Sequence, residues 1–140
     1  MKKLLFLVGI LLSIYSCSTD DNDNDPNVSL RTKLVDYWKV NEQSQNFKST
    51  KSYYTVEILK HQTDSSKMLI DNFYNLGYGK QAYARVNDDY TIDLPLQNLD
   101  GFEIKGSGRI SSNLKTISWE YVANDGEGLI DSVKATYSRE

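Results

Sequence analysis

The feature that most constrains this fold is an alternation of apolar and polar residues that recurs eight times, mostly with short turn-like links between repeats. Its cleanest instance sets Phe102, Ile104, Gly106, Gly108 and Ile110 against Glu103, Lys105, Ser107 and Arg109. A period of two puts one set on each face of an extended chain, so such a run is a half-buried strand. The same reading covers Trp38 and Val40, then Tyr54, Val56 and Ile58, then the apolar run 68–74. It continues with Ala82, Ala84 and Val86, and with Tyr90, Ile92 and Leu94, where Pro95 ends the strand. Ile117, Trp119, Tyr121 and Ala123 follow, and last come Leu129, Val133, Ala135 and Tyr137. Asp131 is the one polar residue on the inward side of that last run, and a slip at the strand start would leave it at a rim. Ahead of the first strand, Leu30, Leu34 and Trp38 are spaced by four behind Ser29, which predicts a short helix over 30–36 capped by Ser29.

The links decide the topology. Gly77-Tyr78-Gly79, Asn87-Asp88-Asp89, Asp100-Gly101, Ser111-Ser112-Asn113 and Asn124-Asp125-Gly126-Glu127-Gly128 are all hairpin chemistry. Only the first connection, 43–52, is long. Short links make consecutive strands antiparallel neighbours, and a meander of eight closes most simply into a barrel without open edges. The expected fold is all-β: an eight-stranded antiparallel up-and-down barrel with a short N-terminal helix. A sandwich is the alternative, but it needs Greek-key crossovers longer than these links. Helix, early Trp and eight-stranded meander together resemble the lipocalin-like (calycin-like) lipoproteins of Bacteroidota over residues 30–140. Asp36-Tyr37-Trp38 stands where lipocalins carry Gly-x-Trp.

The N-terminal stretch has a different logic. Lys2-Lys3, an apolar run over 4–15, and then Ser16-Cys17 follow the order of a secretory signal peptide. Ile14-Tyr15-Ser16-Cys17 resembles the lipobox of bacterial lipoproteins. That resemblance implies a signal peptide over 1–16, lipidation of Cys17, an acidic tether over 17–28 and the barrel domain over 29–140. Cys-Ser-Thr-Asp-Asp at 17–21 is similar to the acidic export signal of surface-displayed Bacteroidota lipoproteins. It implies an outer-membrane location, lipid-anchored and facing the cell surface, with a periplasm-facing anchor as the alternative. The membrane is then the first expected partner. Asp21-x-Asp23-x-Asp25 opens like a calcium loop, yet Pro26 and Asn27 stand where the loop needs a Gly for its turn.

Composition narrows the chemistry. Cys17 is the only cysteine and His61 the only histidine, so disulfides, thiolate clusters and multi-histidine metal sites are excluded. The formal charge is −3 and becomes more negative once Lys2 and Lys3 are removed, which gives nucleic acid nothing to bind. His61 sits in a polar loop, and no nucleophile motif accompanies it. No catalytic residue, metal site or cofactor is expected. Asp88 and Asp89 read as turn residues, and Asp71 as buried or exposed according to which face of its strand turns inward. Gly106 and Gly108, inside a strand, read as curvature or close approach of another group.

What remains is aromatic. Trp38, Tyr54, Phe102, Trp119, Tyr121 and Tyr137 are the expected inward set, beside the small residues Ala82, Ala84, Gly106, Gly108 and Ala135. A barrel of eight strands is just wide enough to be filled by side chains or to hold one small ligand. Those six aromatics are therefore the candidate ligand-binding residues of a non-catalytic lipoprotein that takes a small apolar or amphipathic molecule. The alternative is a filled barrel acting as an accessory or inhibitor of an outer-membrane protein partner, with Tyr53, Tyr78 and Tyr83 as contact candidates.

Overall fold

Eight strands form where the alternation places them: β1 (Asp36–Ser44), β2 (Lys51–Lys60), β3 (Lys67–Asp71), β4 (Gln81–Val86), β5 (Thr91–Leu99), β6 (Phe102–Ile110), β7 (Thr116–Asn124) and β8 (Ile130–Ser138). The structure is a computed structural model describing residues 29–46 and 51–140. The expectations for 1–16 and for residues 17–28, Cys17 included, fall on residues outside these. Each strand pairs antiparallel with the next, and β1 also pairs with β8, Val40 facing Tyr137, so the barrel closes as expected. Among the described residues, no helix is long and apolar enough to cross a membrane.

Register defines two ends. Asp36, Lys60, Thr91, Ile110 and Thr116 lie at the end nearest α1 (Leu30–Lys33), and Ser44, Leu99, Phe102 and Ile130 lie at the far end. The helix end is shut by α1. Arg31 donates to the carbonyls of Asp64 and Lys67 at 3.0 and 2.9 Å, and the Trp38 indole N–H donates to Leu34 O at 2.9 Å. This explains why the helix stops at Lys33 instead of reaching residue 36, for Asp36 is already paired in β1. Ser29 occupies the cap position without a side-chain cap bond; its hydroxyl meets Thr32 Oγ1 at 3.1 Å.

The core is the inward face. Trp38, Val56, Ile58, Met68, Ile70, Ile92, Ile104, Ile117, Trp119 and Tyr137 are buried there. Small residues oppose the largest ones, which is how side chains interdigitate in a barrel of this width. Gly106 faces Tyr121 and Gly108 faces Trp119 across the β6–β7 ladder. A Cβ on Gly106 would lie 2.5 Å from Tyr121 Cβ, and one on Gly108 would lie 3.0 Å from the Trp119 ring. Both glycines therefore permit close approach.

Four expectations are corrected. The third strand ends at Asp71 because Asn72, Tyr74 and Asn75 have positive φ; the chain turns into a 3-10 turn, Phe73–Asn75, that drops Phe73 into the barrel. Met68 and Ile70 are the inward residues of β3. Asp71 is nonetheless buried, accepting from Gly79 N at 2.7 Å. The fifth strand does not stop at Pro95 but runs to Leu99, since a register shift between Leu94 and Gln97 absorbs the missing N–H. There the Gln97 amide stitches β5 to β4, accepting from Tyr83 N at 2.9 Å and donating to Tyr83 O at 2.8 Å. Finally, β8 keeps its alternation to the start, so Asp131 is not at the rim. It points inward and is fully buried. Leu129, read as part of that strand, lies before it and is exposed.

Candidate functional site

Two buried carboxylates lie toward the far end of the barrel. Glu42 continues the inward series Trp38 and Val40 in β1, and Asp131 is the first inward residue of β8. The Tyr121 hydroxyl donates to Glu42 Oε2 at 2.6 Å, and the Tyr54 hydroxyl donates to the same oxygen. Asp131 accepts from Ser44 Oγ at 2.6 Å on one oxygen and from the Tyr74 hydroxyl at 2.8 Å on the other. All four are neutral donors. Among the described residues, neither Glu42 nor Asp131 takes part in an ion pair.

Electrostatics follow from burial. Loss of water pushes the Glu42 carboxyl above its ordinary range; the tyrosine hydrogen bonds oppose this, and the nearby Asp131 charge adds to it. Burial also raises Tyr54, Tyr74, Tyr121 and Tyr137, so these phenols stay protonated donors. Among the described residues, Tyr137 Oη, fully buried beside the Tyr54 hydroxyl, makes no hydrogen bond of good geometry, and Trp119 Nε1 has no partner. Buried polar groups are nearly always paired, so each orphan is a point to explain.

A chain of rings links the rim to the core. Phe102 meets Tyr74 at 5.4 Å between centroids, Tyr74 meets Tyr121 at 6.0 Å, and Tyr121 meets Phe73 at 4.8 Å. Phe73 continues edge-on to Trp119 at 6.2 Å, and Trp119 to Tyr137 at 5.6 Å. Five of the six expected aromatics are thereby brought together, Tyr54 joining through its hydroxyl. Trp38 is the exception: it sits at the helix end under the Arg139 guanidinium. Trp38, Trp119, Tyr121 and Tyr137 are buried, whereas Tyr54 and Phe102 are half-buried. Glu42, Phe73 and Tyr74 went unread in the sequence. Parity along β1 would have found Glu42; no local signal marks the turn that delivers Phe73 and Tyr74.

The other candidates are local. His61 Nδ1 accepts from Asp64 N at 3.1 Å within its own loop, and Asp89 accepts from Thr91 N at 3.1 Å in a turn. Tyr53 and Tyr78 are exposed on the outside, and Tyr83 is half-buried. A groove of about 610 Å³ crosses the outer wall of β5–β8, with Leu96, Lys105, Val122 and Lys134 along it.

No protein-family model matches the chain, and no curated protein matches it. Among solved structures it is similar to a redesigned beta barrel, with a TM-score of 0.52 over 79% of this chain and 94% of that one, at 10% identity. At that identity the likeness shows the barrel fold alone.

Proposed function

We propose that this chain is a lipid-anchored outer-membrane lipoprotein of the Bacteroidota type, held by an acylated Cys17, with a lipocalin-like barrel that takes a small amphipathic ligand at its far end. The observation that carries the reading is the placement of Glu42 and Asp131, two buried carboxylates, at the end of a chain of aromatic rings. Such a site offers an apolar surface for one half of a ligand and fixed polar groups for the other, the usual composition of small-molecule sites. Tyr74 and Phe102 stand half-buried at the far end, where a ligand would enter, and Tyr54 is half-buried deeper along the wall. The role is binding without chemistry. The acidic residues after Cys17 support display on the cell surface.

The test is to purify the full chain from membranes in mild detergent and record native mass spectra. A discrete adduct that is lost on denaturation is the expected result. An unmodified mass after incubation with a lipid and metabolite extract overturns the ligand reading.

A second reading has its own support. The interior rings pack closely, and exposed Leu96 borders the outer groove, which suits a filled barrel docking an outer-membrane protein. Leu96→Asp in the full chain, followed by cross-linking in cells, tests it. Unchanged cross-links would remove that groove as the docking face.

A further inference from the structure

We infer that the β3–β4 connection, residues 72–80, is a displaceable plug, and that Phe73 holds the place of a small ligand with one aromatic ring, which enters by turning it out. This rests on the reading of the far end as a ligand site, and it names the ligand's chemistry and its gate.

The barrel wall is low on one side. β3 and β4 have five and six residues, where the other strands have nine or ten. Asp71 ends β3 opposite Glu57, and β2 continues from there to Lys51, so the wall at β3 stops short of the far end. The connection fills that gap. Among the described residues, Phe73 is the only buried aromatic side chain that no strand carries. A strand side chain cannot leave the core without breaking its ladder. Phe73 can, because the strand pairings that close the barrel lie outside 72–80.

The backbone of the plug is strained. Tyr74 has φ 56°, and Asn72 and Asn75 close by have φ 63° and 55°. Left-handed backbone is costly for a bulky side chain and persists only where surrounding contacts impose it; such places cluster at ligand clamps and switches. Asn72 Nδ2 donates to Thr55 O at 2.8 Å, and Gly79 N donates to Asp71 Oδ1 at 2.7 Å, both near the root of the connection. Of these bonds, the one from the Tyr74 hydroxyl to Asp131, at 2.8 Å, crosses to β8. Turning Phe73 out relieves the strain and leaves the ladders intact.

The place that Phe73 fills suits a ring. Phe73 lies edge-on to Trp119, with 81° between the planes and 6.2 Å between centroids, and tilted against Tyr121 at 4.8 Å. These are the separations and angles at which aromatic quadrupoles attract. A ligand ring in the same place inherits both contacts, whereas a saturated ring of equal size inherits only the burial. The Tyr121 hydroxyl, bonded to Glu42 at 2.6 Å, marks the polar side toward which a hydroxyl on the ligand would turn.

Calorimetry and amide hydrogen exchange on the full chain carrying Cys17→Ala test this with p-cresol and 4-methylcyclohexanol, which share size and hydroxyl and differ in the ring. p-Cresol should bind at least about threefold tighter. It should also speed exchange across 72–80 while the β6–β7 ladder stays protected. Phe73→Ala, added to this chain, should bind p-cresol at least about tenfold tighter than the parent, since no ring has to leave first. Should that variant fail to fold, Tyr74→Phe, which removes the bond to Asp131, should tighten binding in its place. Equal or tighter binding of 4-methylcyclohexanol overturns the aromatic assignment. A variant affinity no better than the parent's overturns the plug. So does p-cresol binding with exchange over 72–80 unchanged or slowed, which leaves the ligand reading standing. A parent that does not bind p-cresol overturns the plug whatever Phe73→Ala does, and the native mass spectra of the membrane-purified chain then decide the ligand reading by themselves.

Discussion

The Arg139 guanidinium lies 4.7 Å over the ring of Trp38, joining the end of the last strand to the start of the first. The same side chain donates through Nε to Leu114 O at 2.9 Å and through Nη2 to Lys33 O at 2.7 Å. One residue thus ties α1, β1 and the β6–β7 turn where the barrel closes. Arg139→Ala should cost about 2–4 kcal/mol, since two carbonyls lose a charged donor and a cation–π contact goes with them. Arg139→Lys should recover only part of this, because an ammonium cannot span both carbonyls while stacking. Urea unfolding of both variants checks the order.

Gly106→Ala and Gly108→Ala should both destabilise, by different routes. At Gly106 the added methyl meets the β7 backbone, which cannot move without breaking the ladder. At Gly108 it meets the Trp119 ring, which can tilt slightly. The expected loss at Gly108 is about 1–3 kcal/mol, in the range of overpacked cores, and that at Gly106 is larger. Thermal melts would show the ranking, and a neutral Gly106→Ala would contradict the close approach of β6 to β7 at Tyr121.

Trp119→Ala should be among the most damaging single changes. Its ring contacts Phe73 and Tyr137 and fills the space above Gly108. Truncating a buried Trp costs about 3–5 kcal/mol through lost burial and the cavity left behind. A measured cost of only about 1–2 kcal/mol would mean that Trp119 lines a void, because few packing contacts are lost there.

Glu42 gives stability a pH dependence of definite sign. Its carboxyl is raised by burial, so between the ordinary glutamate range and its folded value the native chain holds a proton that the unfolded chain has released. Stability from this group is fully present below about pH 4.3, falls as pH rises through the raised value, and then levels off. Tyr54 from β2, Tyr121 from β7, Tyr74 from the 3-10 turn, and Tyr137 and Asp131 from β8 surround it. Glu42→Gln keeps an acceptor for both tyrosines and should flatten this decline. Asp64 acts in the opposite direction: hydrogen bonds from Ser66 lower its carboxyl, so its contribution is lost only as pH falls below the ordinary aspartate range. Urea midpoints from pH 4 to 8 follow the Glu42 decline alone, and midpoints taken below pH 4 follow the Asp64 loss.

Cys17→Ala should release the protein from membranes. Acyl chains anchor at about 0.8 kcal/mol for each buried CH₂, and the proposed anchor has no other source. A variant that still sediments with membranes after a high-salt wash would remove the anchoring proposal.

What the sequence determined by itself is the barrel and its inward aromatic set. Alternation such as Phe102 to Ile110 dictates which face is buried, and turns such as Asp100-Gly101, both at positive φ, dictate antiparallel order. Both are local rules, legible in one strand at a time. Tertiary structure alone decided the far-end site. Phe73 enters the core only because three residues of 72–75 adopt left-handed backbone, which their neighbours across the barrel must stabilise. Gln97 replaces ladder bonds that Pro95 and the register shift deny, a repair that only the position of Tyr83 reveals. Glu42 and Asp131 stand 89 positions apart in the chain, in strands that become neighbours when β1 meets β8. Barrel closure is a long-range event, and no period-two pattern carries its register.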